Sequence, residues 1–162
     1  MRILIIVAIS VLLVIVFSSL SFAPSADVKG EAGQGMVKTK SHHSVKQTSD
    51  RLESLIKEKG LTLFIRINHA ENAKKIGMDL RATELLIFGN PKIGTPLMNC
   101  QQNVAIDLPQ KALIWEDEEG QVWIAYNDPQ YLVKRHSITG CDDVIKKIEQ
   151  TLSKLTGAAA QP

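Results

Sequence analysis

The sequence lacks the signatures on which common catalysis rests. It contains no G-x-S-x-G, no Walker loop, no dinucleotide fingerprint and no H-E-x-x-H, so hydrolytic, nucleotide-dependent and metalloprotease chemistries have no motif to stand on. Its two cysteines and four histidines fall in no C-x-x-C or H-x-x-x-H spacing, and no acid-rich ligand run accompanies them. Metal binding is weakly supported on that ground. An excess of one charge is missing as well: the net charge is +2, from 19 basic and 17 acidic residues that are interspersed. Aromatic residues make up 5% of the chain and form no recurring basic platform, so nucleic acid is not an expected partner. There is no internal repeat. Glu116, Asp117, Glu118 and Glu119 are neighbours at a hairpin tip, where acids are solvated, and are not an acid/base pair.

What the sequence does have starts with a long apolar run. Arg2 precedes residues 3–22, which only Ser10, Ser18, Ser19 and Ser21 interrupt. Roughly 20 such residues span a bilayer, and a usual signal-peptide core is shorter. Export follows whether the segment stays as an anchor or is removed, because the positive charge remains on the cytoplasmic side. Ser21-Phe22-Ala23 has the small-x-small form of a cleavage site, but Pro24 follows it directly; Pro24-Ser25-Ala26 is a weaker second site. Residues 1–22 are therefore read as a signal anchor or signal peptide. The rest is expected on the extracytoplasmic (periplasmic) side, tethered, or secreted after cleavage. No cysteine ends the run, which excludes a lipoprotein anchor. Residues 23–35 are small, polar and Gly-rich, a flexible linker; residues 36–157 form one domain and 158–162 a tail.

The domain is organised around the stretch from Glu84 to Met98. Leu85 to Phe88 read as a buried strand closed by Gly89-Asn90-Pro91. Thr95-Pro96 predicts the start of a helix, the hydroxyl capping a free N–H and proline having none to leave unpaired. Elsewhere, Ser44 and Gln47 match a capping box for a helix bearing Val45, Leu52, Leu55 and Ile56 and ending at Gly60. Leu61, Leu63, Ile65 and Ile67 alternate with Thr62, Phe64 and Arg66, a half-buried strand. Val104, Ile106 and Leu108 predict another. Residues 113–116 and 122–126 flank Asp117 to Gly120 as a hairpin. Asp128-Pro129 opens a helix running to His136, and Asp142-Asp143 opens a last one that ends at Gly157. This order predicts an α+β fold, a mostly antiparallel sheet with its helices on one face.

Several stretches are similar to a known family. Lys59-Gly-Leu-Thr62, Ile67-Asn-His-Ala70, Glu84-Leu-Leu-Ile-Phe-Gly-Asn-Pro-Lys92, Gly94-Thr-Pro-Leu-Met98, Ala105-Ile-Asp-Leu-Pro109 and Tyr126-Asn-Asp-Pro129 resemble the domain of unknown function 302 family in collinear order. The resemblance implies a TATA-binding-protein-like β-α-β(4)-α arrangement and often a dimer. It implies no established activity, and neither cysteine belongs to its motif.

The candidate site residues follow from which side of the sheet they face. The hairpin strands are apolar on both sides, so the uncovered side needs a ligand or a second subunit to shelter it. Trp123 would line it. Strand parity puts Arg66 and Asp107 on the same side, where they pair with each other or hold an anionic ligand through Arg66. Asn90, Lys92 and Thr95 sit at the helix entrance, where backbone N–H groups can hold an anion or polar group; the same turn can serve only as a connection. His69 and His136 would bind a metal or share a proton if they met. Cys100 and Cys141 are 41 positions apart; a disulfide, free thiols and a reactive Cys141 thiol all remain open. The function expected is an extracytoplasmic, membrane-tethered binding or interaction domain. It would form a homodimer or hold a small ligand on the open sheet face. The alternative is a metal- or thiol-dependent redox protein or enzyme using His69, His136 and Cys141.

Overall fold

The alternating segments build one sheet. The computed structural model describes residues 35–162; the expected anchor and the linker up to residue 34 lie outside them. Strands β1 (Met36–Ser41), β2 (Thr62–Asn68), β3 (Thr83–Gly89), β4 (Gln110–Glu116) and β5 (Val122–Asn127) pair antiparallel in the order β1-β5-β4-β3-β2. Helices α1 (Val45–Glu58), α2 (His69–Lys75), α3 (Pro91–Cys100), α4 (Pro129–His136) and α5 (Asp142–Ala160) complete the domain, with a 3-10 helix at Gln102–Asp107. The fold is α+β, with a five-stranded open sheet. Setting the short helices aside leaves β-α-β(4)-α.

Local chemistry explains most of these elements. The Ser44 hydroxyl accepts from the Gln47 N–H at 3.3 Å while the Gln47 side chain accepts from the Ser44 N–H at 3.1 Å, the reciprocal box that starts α1. In α1, Val45, Leu52 and Ile56 are buried, and Gly60 adopts the left-handed φ of +66° beyond its end. In the β4–β5 hairpin one Asp117 oxygen accepts from the N–H groups of Glu119 and Gln121, and Gly120 takes positive φ. The core forms between α1, α5 and the side of the sheet carrying Leu86, Phe88, Ala112, Ile114, Ile124 and Tyr126, all buried.

Four sequence expectations are corrected. Helix α3 starts at Pro91, not Thr95: Asn90 caps it, its side chain accepting from Lys92 N–H at 2.9 Å, so Asn-Pro already supplies the cap and first-position pair. Thr95 and Pro96 lie inside the helix. The strand expected at 104–108 is the 3-10 helix; Val104 is fully buried while Ile106 is 73% exposed, so these two residues do not share a face. The place beside β3 goes to β4. Helix α5 continues through Gly157 to Ala160, because Ala159 and Ala160 are buried and the Arg51 guanidinium donates to the carbonyls of Ala158, Ala159 and Gln161. The expected tail is thus largely helical and packed. Finally, β2 does not alternate cleanly. A bulge shifts its register on β3 between Leu63 and Ile65, and every later side chain of that strand changes face.

Cys100 and Cys141 are joined in a disulfide, with Cα atoms 6.4 Å apart. It ties the end of α3 to the start of α5 across 41 positions. Replacing both with serine should lower the unfolding free energy by about 2–4 kcal/mol, measured by urea denaturation. Thiol titration of the unreduced, denatured wild-type protein should find no free thiol.

Candidate functional site

Arg66 is where the bulge has its largest effect. Opposite Leu86 on β3, it faces the helices and not the open side. Its Nε and Nη2 donate to one Glu84 oxygen at 2.7 and 2.6 Å, and its Nη1 reaches Asp50 at 2.7 Å and Glu53 at 3.3 Å on α1. Asn68 donates to the other Glu84 oxygen. Three carboxylates occupy this guanidinium, so it joins α1, β2 and β3 and offers no vacant fork to an anion. The hydrogen bond from Lys46, then that from Arg66, holds the Asp50 carboxyl below its ordinary range; Lys57 first, then Arg66, does so for Glu53.

Asp107 is not Arg66's partner. It ends the 3-10 helix and accepts from His136 Nε2 at 2.5 Å, with Arg135 at 3.5 Å. His136 is buried at the end of α4, and its carbonyl accepts from the Gln101 side chain at 2.9 Å. His69 begins α2 on the far side of the sheet order, after β2. Antiparallel pairing puts it at the hairpin end, whereas His136 lies at the other end with the 3-10 helix. The structure does not bring the two histidines together, and among the described residues no group of three metal-binding side chains occurs. Cys141 presents no thiol, since its sulfur is in the disulfide.

The open face carries a patch of apolar side chains, with Lys111 of β4 opposite Ile87 and Lys38 and Lys40 of β1 opposite Ala125 and Trp123. Register places Ile65 and Ile67 of β2, Leu85 and Ile87 of β3, Leu113 and Trp115 of β4, and Trp123 of β5 on it. Ile65 remains 49% exposed. The loop leading into β3 carries three further exposed hydrophobic residues, Ile76, Met78 and Leu80, each at least 50% exposed. Trp115 and Trp123 stack with centroids 6.5 Å apart. The Lys38 and Lys40 ammoniums lie 5.1 and 5.3 Å from the Trp123 ring, and the indole N–H donates to Asp117 at 2.6 Å. That bond, before all else, lowers the Asp117 pKa.

A second feature went unnoticed in the sequence. Where β3 ends and α3 begins, a cavity of about 300 Å³ opens between α3, the 3-10 helix and α5. Phe88, Ile93, Met98, Leu108, Ile148 and Leu152 form much of its wall, and the bulged Phe64 reaches its edge. Asn90 and Thr95 also line it; Lys92 does not. The α3 entrance offers no anion cradle, because the Lys92 N–H bonds the Asn90 side chain and the Ile93 and Gly94 N–H groups bond the Asn90 carbonyl. The cavity arises from residues distant in the chain, so only its β3–α3 rim carried a sequence signal.

The comparisons with known proteins agree with this fold. The model of the family described as "Domain of unknown function DUF302" matches residues 37–155. This chain belongs to the DUF302 family. A crystal structure of an uncharacterized conserved DUF302 protein from Bacillus stearothermophilus superposes with a TM-score of 0.70 at 20% identity, covering 78% of this chain and 98% of that one. The match takes up nearly the whole of that Bacillus chain. Curated relatives from Brucella suis biovar 1 (strain 1330) and Brucella abortus biovar 1 (strain 9-941), each named "Fluoride-specific ion channel FluC 1", are 44% identical over 113 residues. The match covers 70% of this chain and 44% and 42% of theirs, so the chain spans less than half the length of these relatives.

Replacing Arg66 with methionine leaves Glu84, which is 5% exposed, as an uncompensated buried charge, and should cost about 3–5 kcal/mol in denaturant unfolding. The lowered Asp50 and Glu53 carboxyls stabilise the fold above the ordinary carboxylate range of about 4, and that contribution is lost as pH falls through their lowered folded values. Acid titrations of stability should show part of this loss missing in Arg66→Met.

Proposed function

We propose that the domain is a non-catalytic interaction module on the extracytoplasmic side of a membrane, held there by the N-terminal segment, and that a second copy of the chain covers its open sheet face. The observation that carries this reading is the apolar open face itself. A sheet covered on one side normally presents a solvated side opposite, and here the middle of that side, from Ile65 and Ile67 through Leu85, Ile87 and Leu113 to the two tryptophans, is apolar, with Lys111 on β4 and Lys38 and Lys40 on β1 beside it. Two such faces packed together would bury each other as the inner faces of a sandwich do.

Further observations support the setting. A structural disulfide suits an oxidising compartment. The Brucella relatives are named as ion channels, proteins that work in membranes. Among the described residues no helix is long and apolar enough to cross a bilayer, so the names lend a membrane setting and not a channel.

Light scattering of residues 35–162 should give twice the chain mass, and Leu113→Lys or Ile87→Lys should return it to the mass of one chain. A wild-type domain that stays monomeric at every concentration tested would end the proposal.

A further inference from the structure

The cavity under the β3–α3 junction stands apart from the open face: Ile148, Thr151 and Leu152 of α5 line it, on the helical side of the sheet. We propose that it is a binding site for a small uncharged molecule, an alkyl or aryl chain with one neutral hydrogen-bonding end. Its composition argues for that class. None of its lining residues is an aspartate, glutamate, lysine, arginine or histidine, so a charged group drawn in against these walls would meet no counter-charge. The walls are aliphatic and aromatic, and the few polar side chains are neutral. Of these, Gln110 makes no side-chain hydrogen bond among the described residues and has amide donors and an acceptor to offer a neutral polar end. Convergence of a few polar groups on an apolar pocket of this size is the usual form of a small-molecule site. Taking for each heavy atom the volume of about 30 Å³ that one water occupies in the liquid, 300 Å³ holds a chain of roughly ten heavy atoms.

The cavity is also held in shape before any ligand arrives. Helix α3 is tied to α5 by the Cys100–Cys141 disulfide. The 3-10 helix is tied to α4 by Asp107 and His136, and Gln101 holds the His136 carbonyl. Preformed walls reduce the ordering cost that a ligand must overcome.

Calorimetry on residues 35–162 with 1-decanol and, separately, decanoate at pH 8 tests the proposal with a pair that differs in charge. The alcohol should bind once per chain and decanoate at least about tenfold more weakly. Gly94→Leu should fill the space, since a Cβ there meets nothing closer than Leu108 at 3.9 Å, and should weaken 1-decanol at least about tenfold. Leu113→Lys, on the open face, should leave binding unchanged, which separates this site from the proposed dimer surface. Because a filled variant can misfold, methyl spectra of the wild-type domain give an independent reading. Shifts on Ile93, Leu108 and Ile148 support the site; shifts confined to Ile65, Ile87 and Leu113 overturn it. No binding of 1-decanol, equal binding of decanoate, or wild-type binding by Gly94→Leu would also overturn it.

Discussion

One additional residue in β2 decides what each side of the sheet can do. Leu63 pairs with Phe88 and Ile65 with Ile87, so Phe64 is the residue without a partner on β3. Side chains in a strand point alternately to opposite faces, and one inserted residue reverses the alternation for all that follow. Without the insertion, Arg66 would stand on the open face and Ile65 under the helices. With it, Arg66 turns inward to Glu84, Asp50 and Glu53, while Ile65 and Ile67 turn outward and extend the apolar platform to the sheet edge. Phe64 itself is left at the rim of the cavity. A single bulge therefore supplies the buried ion cluster, part of the open face and one edge of the pocket.

The inward Arg66 shows why burial and charge must be weighed together. A buried carboxylate such as Glu84 is costly alone, and breaking its pair costs far more than the pair contributes over a well-packed apolar substitute. The cluster is thus weak evidence for extra stability and good evidence for a fixed arrangement. It pins β2, β3 and α1 in one register.

What could be read from the sequence was local. The Ser44–Gln47 box, the Asp117–Gly120 hairpin and the apolar run of β3 are set by neighbours within a few residues, and they formed where expected. The expectations that failed required knowledge of distant partners. The alternation of Leu61, Leu63, Ile65 and Ile67 is continuous in sequence, and nothing in it marks the residue that β3 leaves unpaired. Val104, Ile106 and Leu108 have strand-like spacing, but the edge they would have filled belongs to β4. Thr95-Pro96 is a sound helix start that lost to Asn90-Pro91, an equally sound one nearer the strand. Gly157 failed to end α5 because Arg51, more than a hundred positions earlier, binds the carbonyls beyond it. Among site residues, Asn90, Thr95 and Trp123 lie on the two surfaces singled out above, whereas Arg66 and Asp107 are each paired elsewhere.

The open face and the cavity make different physical demands. A flat apolar face needs only coverage, which a second identical face would provide with no prior shaping. A recess between packed elements is different, since its lining forgoes contacts that closer approach of those elements would make. Here the segments that would move in to fill it are restrained from both sides. The disulfide fixes the end of α3, and the Asp107–His136 pair fixes the end of the 3-10 helix. Neither restraint touches the platform around Trp115 and Trp123. Both hold the ends of elements that wall the cavity, so the recess is bounded by a covalent tie on one side and a hydrogen-bonded pair on the other.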